Sequence, residues 1–296
     1  MTVRAIPVKS ILTKSNLPVC DFSVNPYVGC EHACQYCYAS FMKRFTDHPE
    51  PWGAFVDAKE WPPLRGAGRF AGQSAFIGSV TDPYQPCEEK LRRTRALLEQ
   101  LAGSGMKISI QTKSDLVLRD LDLIRQFPDA RVGFSVNTLD ETFRAEMDRA
   151  APIARRLAAM KTLYDAGVRT TCFISPIFPG ITDPVEIVEA AKDRCNLVWL
   201  ENLNLRGDYK ARILAWVHAR RPDLDGLYRD IYARRSRAYW TALDARMRAY
   251  AAREGMPYLR DDDTRTAPFG APPVIVNYFF HEEVKKNAKT PSPKRP

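Results

Sequence analysis

The stretch Cys30-Glu-His-Ala-Cys34-Gln-Tyr-Cys37-Tyr38 places three cysteines within eight positions, spaced Cys-x3-Cys-x2-Cys. Thiolates this close together in one loop can bind a common centre, and soft sulfur ligands suit an iron–sulfur cluster, zinc or Cu(I). Full cysteine ligation of a four-iron cluster takes four thiolates, so three leave one iron open to bind and reduce a cofactor. A structural zinc site would need a fourth ligand, His32 or a remote residue. The remaining alternative is three unrelated core thiols.

The composition is typical of a globular protein. Of the 296 residues 45% are hydrophobic, enough for one large α/β domain or two small ones. The sequence contains no run of eighteen apolar residues, so no membrane span is predicted. The first fifteen residues lack the apolar core of a signal peptide. Seven cysteines, an odd number with three in one cluster, fit a reducing cytoplasm better than a disulfide framework. We therefore expect a cytoplasmic protein without membrane attachment.

The net charge of +9 favours a nucleic-acid partner, although only weakly. Five cations lie in the last twelve residues, namely Lys285, Lys286, Lys289, Lys294 and Arg295. The rest of the chain therefore carries only a modest excess of positive charge.

Short apolar runs alternate with helical patterns as far as residue 201. The predicted strands cover residues 24–29, 75–80, 107–111, 131–136, 169–174 and 196–201. The predicted helices lie near residues 88–102, 115–126, 140–147, 152–166 and 184–192. Six strand–helix units indicate a parallel sheet with right-handed crossovers. Since a closed barrel needs eight units, we predict an α/β fold with a partial (β/α)6 TIM-like barrel, and a doubly wound sheet is the alternative.

The predicted division of the chain has four parts: a lead-in at 1–20, the barrel core at 21–206, a helical extension and cap at 207–282, and a basic disordered tail at 283–296. Within the core, the Pro- and Trp-rich segment after Tyr38 lacks periodicity and is predicted to be a loop or a lid. Arginine and tyrosine interleave along the extension, which fits either a nucleic-acid surface or, as we favour, aromatics packed on the barrel.

Polar side chains follow the predicted strands, at the edge where ligands gather in parallel α/β folds. A zwitterionic amino-acid cofactor needs an acceptor for its ammonium group and a cation for its carboxylate. Asp82 and Lys113 can supply these from adjacent strands, and Ser135 or Asn137 can hold ribose hydroxyls. Together with the cysteine loop these side chains predict one cofactor site.

Five motifs of the chain, in this order, resemble those of the radical S-adenosylmethionine (SAM) superfamily. They are Asn25-Pro-Tyr-Val-Gly-Cys30 through Cys37-Tyr38-Ala39, Thr81-Asp-Pro-Tyr-Gln-Pro86, Thr112-Lys-Ser114, Phe134-Ser-Val-Asn137 and Glu201-Asn-Leu-Asn-Leu-Arg206. The cysteine motif is similar to that of the whole superfamily. The strand-end motifs resemble its spore photoproduct lyase-like branch, often labelled DNA repair photolyase, and most closely radical SAM mobile pair protein B. The resemblance covers roughly residues 8 to 280.

The resemblance implies a [4Fe-4S] cluster on Cys30, Cys34 and Cys37, with SAM bound to the open iron. It also implies a set of SAM contacts: Tyr36 beside the adenine, Thr81 and Asp82 at the ammonium group, Lys113 at the carboxylate, and Ser135 near the nucleoside. In this family one electron, delivered by a flavodoxin- or ferredoxin-type donor, cleaves SAM to methionine and a 5′-deoxyadenosyl radical. That radical abstracts hydrogen from the substrate. Nucleic acid is the implied substrate, and a second radical SAM protein is an implied partner.

The chain departs from the family at one position. A hydrogen-donor cysteine precedes the Ser/Thr-Asp pair in spore photoproduct lyase, and Val80 stands there in this chain. Cys87 lies a few residues on, and Tyr38 matches a tyrosine assigned to radical relay, so these two are the candidate catalytic residues. Both also fit plain packing roles. Two alternative functions remain: a radical SAM enzyme that modifies peptides or proteins, and a non-catalytic zinc-binding nucleic-acid module.

Overall fold

The computed structural model describes residues 1–17, 19–260 and 269–279. Its twelve strands are β1 (Thr2–Pro7), β2 (Thr13–Lys14), β3 (Phe22–Val24), β4 (Tyr27–Val28), β5 (Phe55–Glu60), β6 (Ser74–Ile77), β7 (Lys107–Thr112), β8 (Ala130–Ser135), β9 (Arg169–Ile177), β10 (Leu197–Asn202), β11 (Tyr258–Arg260) and β12 (Val274–Asn277). Its nine α-helices are α1 (Glu88–Leu91), α2 (Arg93–Leu101), α3 (Leu121–Ile124), α4 (Glu141–Met147), α5 (Ile153–Asp165), α6 (Pro184–Ala191), α7 (Gly207–Arg220), α8 (Asp225–Tyr232) and α9 (Ala238–Arg253).

The main sheet confirms the predicted α/β class. Its order is β11-β12-β10-β9-β8-β7-β6-β3-β2, and each neighbouring pair from β3 to β10 is parallel. Within the described residues the two edges, β2 and β11, do not pair with each other, so the sheet stays open. Five of these six parallel strands lie where the sequence predicts them. The first differs, because β3 ends at Val24, and residues 27–28 of the predicted strand 24–29 form β4 in a second, three-stranded sheet. The six parallel strands form the partial barrel.

The helices between these strands cover the sheet because each has one apolar side. In α5, the buried positions include Ile153, Leu157, Met160 and Leu163, which recur at helical spacing and pack into the main core. Aspartates start two of the helices, since their carboxylates accept hydrogen bonds from backbone N–H groups in the first turn. Asp140 caps α4, and Asp183 caps α6.

The segment after the cysteine loop contains a strand that the sequence does not reveal. It begins with a 3-10 helix, Tyr38–Phe45, and continues into β5, which lies between β1 and β4 in a second, three-stranded sheet. The first four residues of β5 are all buried, so the strand lacks the alternation that marks a half-buried one. Since β5 pairs with β1 some fifty residues away, local sequence does not predict this sheet.

The C-terminal part joins the main sheet. Three helices, α7 to α9, follow the sixth parallel strand, as the sequence predicts. The segment predicted as a cap contains β11 and β12, and β12 lies parallel to β10 and extends the barrel sheet. The predicted disordered tail at 283–296 lies outside the described residues, and the domain boundaries stay a prediction.

No helix in the described part of the chain is both long and apolar enough to cross a membrane.

Candidate active site

The cysteine loop follows β3 and β4 and leads into the 3-10 helix Tyr38–Phe45. Two backbone hydrogen bonds tighten it: Ala33 N–H donates to the Cys30 carbonyl and Cys37 N–H to the Cys34 carbonyl, both over 3.2 Å. Burial raises the pKa of Cys30 above its ordinary value, and nearby Asp82, Cys34 and Cys37 raise it further. The three thiols are therefore close enough to influence one another.

The donor set of this loop fits an iron–sulfur cluster. It offers three free thiols and no disulfide, and three soft sulfur ligands are what such a cluster takes. In the described residues no three His, Cys, Asp or Glu side chains are already arranged as a metal-binding group.

Two glycines allow the cysteine loop to pack closely against β5 and the turn before it. Gly29, just before the first cysteine, has φ +90°, and an added Cβ would collide with the carbonyl oxygen of Phe55 in β5. Gly53 has φ +94°, and an added Cβ would lie 2.7 Å from the Cβ of Ala33. Glycine is needed at both positions, because other residues disfavour this conformation and have no space for a side chain. The segment predicted as a lid thus supports the loop from β5 and the turn before it.

The turn after α4 holds the other side of the loop. Gln35 N–H donates to the Met147 carbonyl over 2.8 Å, and Arg149 N–H donates to the His32 carbonyl over 2.8 Å. The Tyr36 hydroxyl donates to Asp148 Oδ2 over 3.1 Å. These three bonds fix the backbone of the loop and the ring of Tyr36.

Asp148 is itself held by a buried cation. Arg156 Nη2 lies 3.0 Å from Asp148 Oδ1, and both side chains are fully buried. Arg156 also donates to the carbonyl of Ser135, at the end of β8, over 3.1 Å. Tyr36, Asp148 and Arg156 therefore connect the cysteine loop to a strand end. Sequence reasoning missed this connection, because its partners are as much as 112 residues apart.

The two strand-end residues Thr81 and Asp82 are buried and hydrogen-bonded. The Thr81 hydroxyl donates to the Gly29 carbonyl over 2.6 Å and so holds the loop. Asp82 Oδ1 accepts from Tyr84 N–H over 2.8 Å and from the Thr112 hydroxyl over 2.7 Å.

The second carboxylate oxygen of Asp82 has two more partners. It accepts from Lys113 N–H over 2.7 Å, and His32 Nε2 lies 3.0 Å away. Burial alone would raise the pKa of Asp82, but His32 and the hydrogen bonds hold it below its usual value. The carboxylate is therefore charged, and three hydrogen bonds and the nearby His32 ring surround it. The predicted zinc ligand His32 instead lies against this carboxylate.

The ammonium group of Lys113 faces the cysteine loop. Its Nζ lies 5.6 Å from the centre of the Tyr36 ring, and its positive charge counteracts the rise in the pKa values of Cys34 and Cys37 that burial causes. No carboxylate pairs with Lys113 among the described residues. A cation without a salt-bridge partner beside three thiols is suited to an anionic ligand.

Ser135 and Asn137 lie at the end of β8, both buried. The Ser135 hydroxyl accepts from Gln111 Nε2 over 3.1 Å. Asn137 is 2% exposed, its backbone carbonyl accepts from Thr182, and its side-chain Nδ2 is buried without a hydrogen-bond partner within the described chain. An unpaired buried donor is costly, so the Asn137 amide is suited to an oxygen of a bound ligand.

The two candidate catalytic residues, Tyr38 and Cys87, have different surroundings. Tyr38 is 60% exposed, and its hydroxyl donates to the carbonyl of Ser79, just after β6. Cys87 packs against the core of the second sheet, around Tyr27 and Val56. Burial and the neighbouring Glu31 carboxylate raise the pKa of Cys87 well above its usual value, so it is a neutral thiol.

A further acidic group lies at the end of β10. Glu201 accepts a hydrogen bond from the Ser175 hydroxyl over 2.7 Å, and burial raises its pKa. The sequence signal for Glu201 is its position at the C-terminal end of a parallel strand, where ligand-binding residues gather.

Comparisons with known proteins identify the family of the chain. The sequence profile described as the radical SAM superfamily matches residues 24–193. The uncharacterized protein MJ0683 of Methanocaldococcus jannaschii is 34% identical over 202 residues, which cover 68% of this chain and 77% of that protein.

Two solved structures share the fold. A spore photoproduct lyase variant with bound AdoMet and dinucleoside spore photoproduct matches 75% of this chain with a TM-score of 0.54 and 14% identity. SuiB of Streptococcus suis bound to the precursor peptide SuiA matches 86% with a TM-score of 0.53 and 14% identity. The chain covers 66% of the lyase and 48% of SuiB. Radical SAM proteins use a [4Fe-4S] cluster and SAM. The profile match over more than half of its residues shows that this chain is an enzyme of the radical SAM superfamily.

Proposed function

We propose that the chain binds a [4Fe-4S] cluster through Cys30, Cys34 and Cys37 and cleaves SAM reductively. The observation that carries this proposal is the position of Lys113, a cation without a carboxylate partner in the described chain, beside the cysteine loop. A zinc knuckle has no use for such a cation, whereas the carboxylate of a cofactor bound at the open iron does. When bound, the cluster and SAM supply a 5′-deoxyadenosyl radical that abstracts hydrogen from the substrate.

The chain's own residues bind and orient SAM in this proposal. Lys113 binds the methionine carboxylate, and the charge of Asp82 favours the ammonium group next to it. Tyr36, whose ring is fixed by Asp148, packs beside the adenine. Ser135 and the unpaired amide of Asn137 lie near the nucleoside and donate to its oxygens. Burial of these groups keeps water from the reacting atoms.

Nucleic acid is the substrate class that we propose, with a second radical SAM protein as a partner and a flavodoxin- or ferredoxin-type electron donor. The net charge of +9 and the likeness to a lyase bound to a dinucleoside photoproduct support a nucleic-acid substrate. Tyr38, an exposed residue directly after the last cysteine, is the residue that we propose for radical relay. Cys87 is the candidate hydrogen donor, although its neutral thiol faces Glu31 and the second sheet.

The likeness to SuiB bound to its precursor peptide favours a second candidate, a peptide-modifying enzyme. The test for either candidate is anaerobic reconstitution with iron and sulfide, followed by SAM and dithionite, with 5′-deoxyadenosine as the readout and Cys34→Ala as the control. We expect deoxyadenosine from the parent and none from the variant. A purified chain that holds zinc and rejects iron would establish the zinc module instead. Stimulation by DNA or RNA, compared with peptides, then decides the substrate class.

A further inference from the structure

Exposed aromatic side chains are concentrated next to the cysteine loop. The 3-10 helix Tyr38–Phe45 directly follows the last cysteine, and three of its rings are exposed: Tyr38 by 60%, Phe41 by 44% and Phe45 by 65%. Every other Phe, Tyr and Trp side chain in the described part of the chain is at least partly buried. Scattered apolar residues are ordinary on a protein surface, but a contiguous group of them marks an interaction surface.

Positive charge lies directly against two of these rings. The guanidinium carbon of Arg44 is 5.4 Å from the centre of the Phe41 ring and 4.7 Å from the centre of the Phe45 ring. Both distances are those of a cation–π contact. Within the described residues no carboxylate pairs with Arg44 or with the neighbouring Lys43. The helix therefore presents flat apolar rings and available positive charge side by side.

Both ends of this helix are held by hydrogen bonds. At its start the Tyr38 hydroxyl donates to the carbonyl of Ser79, just after β6. At its end the N–H and the hydroxyl of Thr46 donate to the Lys43 carbonyl over 2.9 and 2.8 Å. Since a 3-10 helix rises about 2 Å per residue, the far end lies within roughly 15 Å of the C-terminal edge of the barrel sheet. A ligand on the rings can thus extend to the strand ends.

An unpaired strand of nucleic acid has the chemistry that fits this surface. Its bases stack on exposed aromatic rings and on guanidinium planes, and its phosphates bind cations. The bases of a duplex stack on one another instead. A stable protein interface takes about 20–30 residues a side, whereas this helix has eight residues. The surface is therefore better suited to a strand of a few nucleotides than to a protein partner.

We propose that Phe41, Lys43, Arg44 and Phe45 bind an unpaired strand of nucleic acid and hold it beside the cysteine loop. The two rings stack on bases, and the two cations bind phosphates. The inference rests on the proposed nucleic-acid substrate and adds the surface that docks it and the single-stranded form that it takes there. These residues position the substrate and take no part in the radical chemistry.

The first test measures binding of a fluorescein-labelled, single-stranded DNA of mixed sequence to the reconstituted full chain by fluorescence anisotropy. The double variant Phe41→Leu/Phe45→Leu keeps apolar side chains but removes the flat rings. Stacking on one ring strengthens binding by a factor of about 5 to 150, so we expect the dissociation constant to rise at least about tenfold. Phe41→Trp/Phe45→Trp should keep the parent's affinity. Leu17→Ala, at another exposed apolar residue, is the control.

The second test measures the role of charge. Each phosphate contact with a single strand contributes about 0.7 to the slope of log affinity against log salt concentration. Arg44→Gln should therefore make this slope shallower by about 0.7. Arg125→Gln is the matched control, because Arg125 is exposed at the end of α3, before β8 begins and thus towards the opposite end of the sheet. It should keep the parent's slope.

The outcomes separate this inference from the proposed function. If the leucine variant binds the strand like the parent, the docking surface is wrong, while deoxyadenosine formed by the same parent preparation upholds the radical chemistry. If the leucine variant keeps its affinity for the strand but accepts electrons from a flavodoxin more slowly, the surface belongs to the electron donor. A parent that binds neither DNA nor RNA would overturn the inference and the proposed substrate class together.

Discussion

Arg156 and Asp148 form an ion pair over 3.0 Å, and both side chains are fully buried. Asp148 accepts from Tyr36 of the cysteine loop, and Arg156 donates to the backbone at the end of β8. The pair therefore joins the loop that holds the thiols to the sheet that holds the other site residues.

Replacement of Arg156 by Met should destabilise the protein severely. The change leaves Asp148 as a buried charge without its cation, and breaking a buried pair in this way costs about 3–5 kcal/mol. Arg155→Met is the matched control one residue away, because the Arg155 side chain is 63% exposed in its pair with Asp115. Exposed pairs are worth about 0–1 kcal/mol. Urea denaturation gives both values, and equal losses of stability in the two variants would contradict the structural role of Arg156.

Gly53→Ala should reduce the amount of cluster that the chain can hold. The new methyl group would lie 2.7 Å from the Ala33 Cβ and displace the cysteine loop. Gly72→Ala is the control for backbone strain, since Gly72 has φ +77° but no atom within 4 Å of the added Cβ. A left-handed alanine costs about 1–2 kcal/mol, so both variants lose stability. Iron and sulfide per chain should fall only in Gly53→Ala, and normal cluster content in that variant would refute the contact's role.

Lys113→Met should weaken SAM binding while the cluster still assembles. A hydrogen bond to a charged group contributes about 1.5–3 kcal/mol, which corresponds to roughly a 10- to 100-fold rise in the dissociation constant. Titration calorimetry of the reconstituted protein with SAM measures this change. Lys107→Met is the matched control, because Lys107 is exposed at the opposite end of the same strand. If both variants bind SAM like the parent, the assignment of Lys113 to the SAM carboxylate fails.

His48 should make the stability of the second sheet depend on pH. The ring is 6% exposed, stacks on Phe55, and contacts Asp57 over 2.8 Å and Glu50 over 3.0 Å. Burial and the charge of Arg4 lower the pKa of His48, but the two carboxylates outweigh them and raise it above its usual value.

A raised pKa in the folded state means that folding favours the protonated ring. This contribution is complete below the unfolded value, about 6.5, and is lost as the pH rises through the folded pKa. The stability difference between the parent and His48→Gln should therefore shrink as the pH rises above about 6.5, as measured by urea denaturation at each pH. A difference that grows with pH would show that the neutral ring is the favoured form.

The fold and the site were predictable to different extents. Five of the six parallel strands are visible in the sequence because each is a short apolar run followed or preceded by a helical pattern. The first was displaced in the prediction, because residues 27–28 join the second sheet as β4 and only residues 22–24 belong to the barrel. The cysteine loop and the polar residues at strand ends follow from their spacing and from the rule that parallel strands end at one edge. The role of β5 was not predictable, because its buried run pairs with β1 across some fifty residues. Nor were the roles of Asp148 and Arg156 predictable, because they depend on contacts that only the folded chain makes.

The hydrogen bonds between the cysteine loop and the turn after α4 also affect how the protein matures in the cell. Gln35, His32 and Tyr36 are held by residues 147–149, which are synthesised more than a hundred residues later. At about 5–20 residues per second, the ribosome needs on the order of ten seconds to cover that distance. During this time the three thiols lack their final support and are open to oxidants. Cluster insertion is therefore expected after translation has passed α4, and cells that shield nascent thiols should yield more intact enzyme.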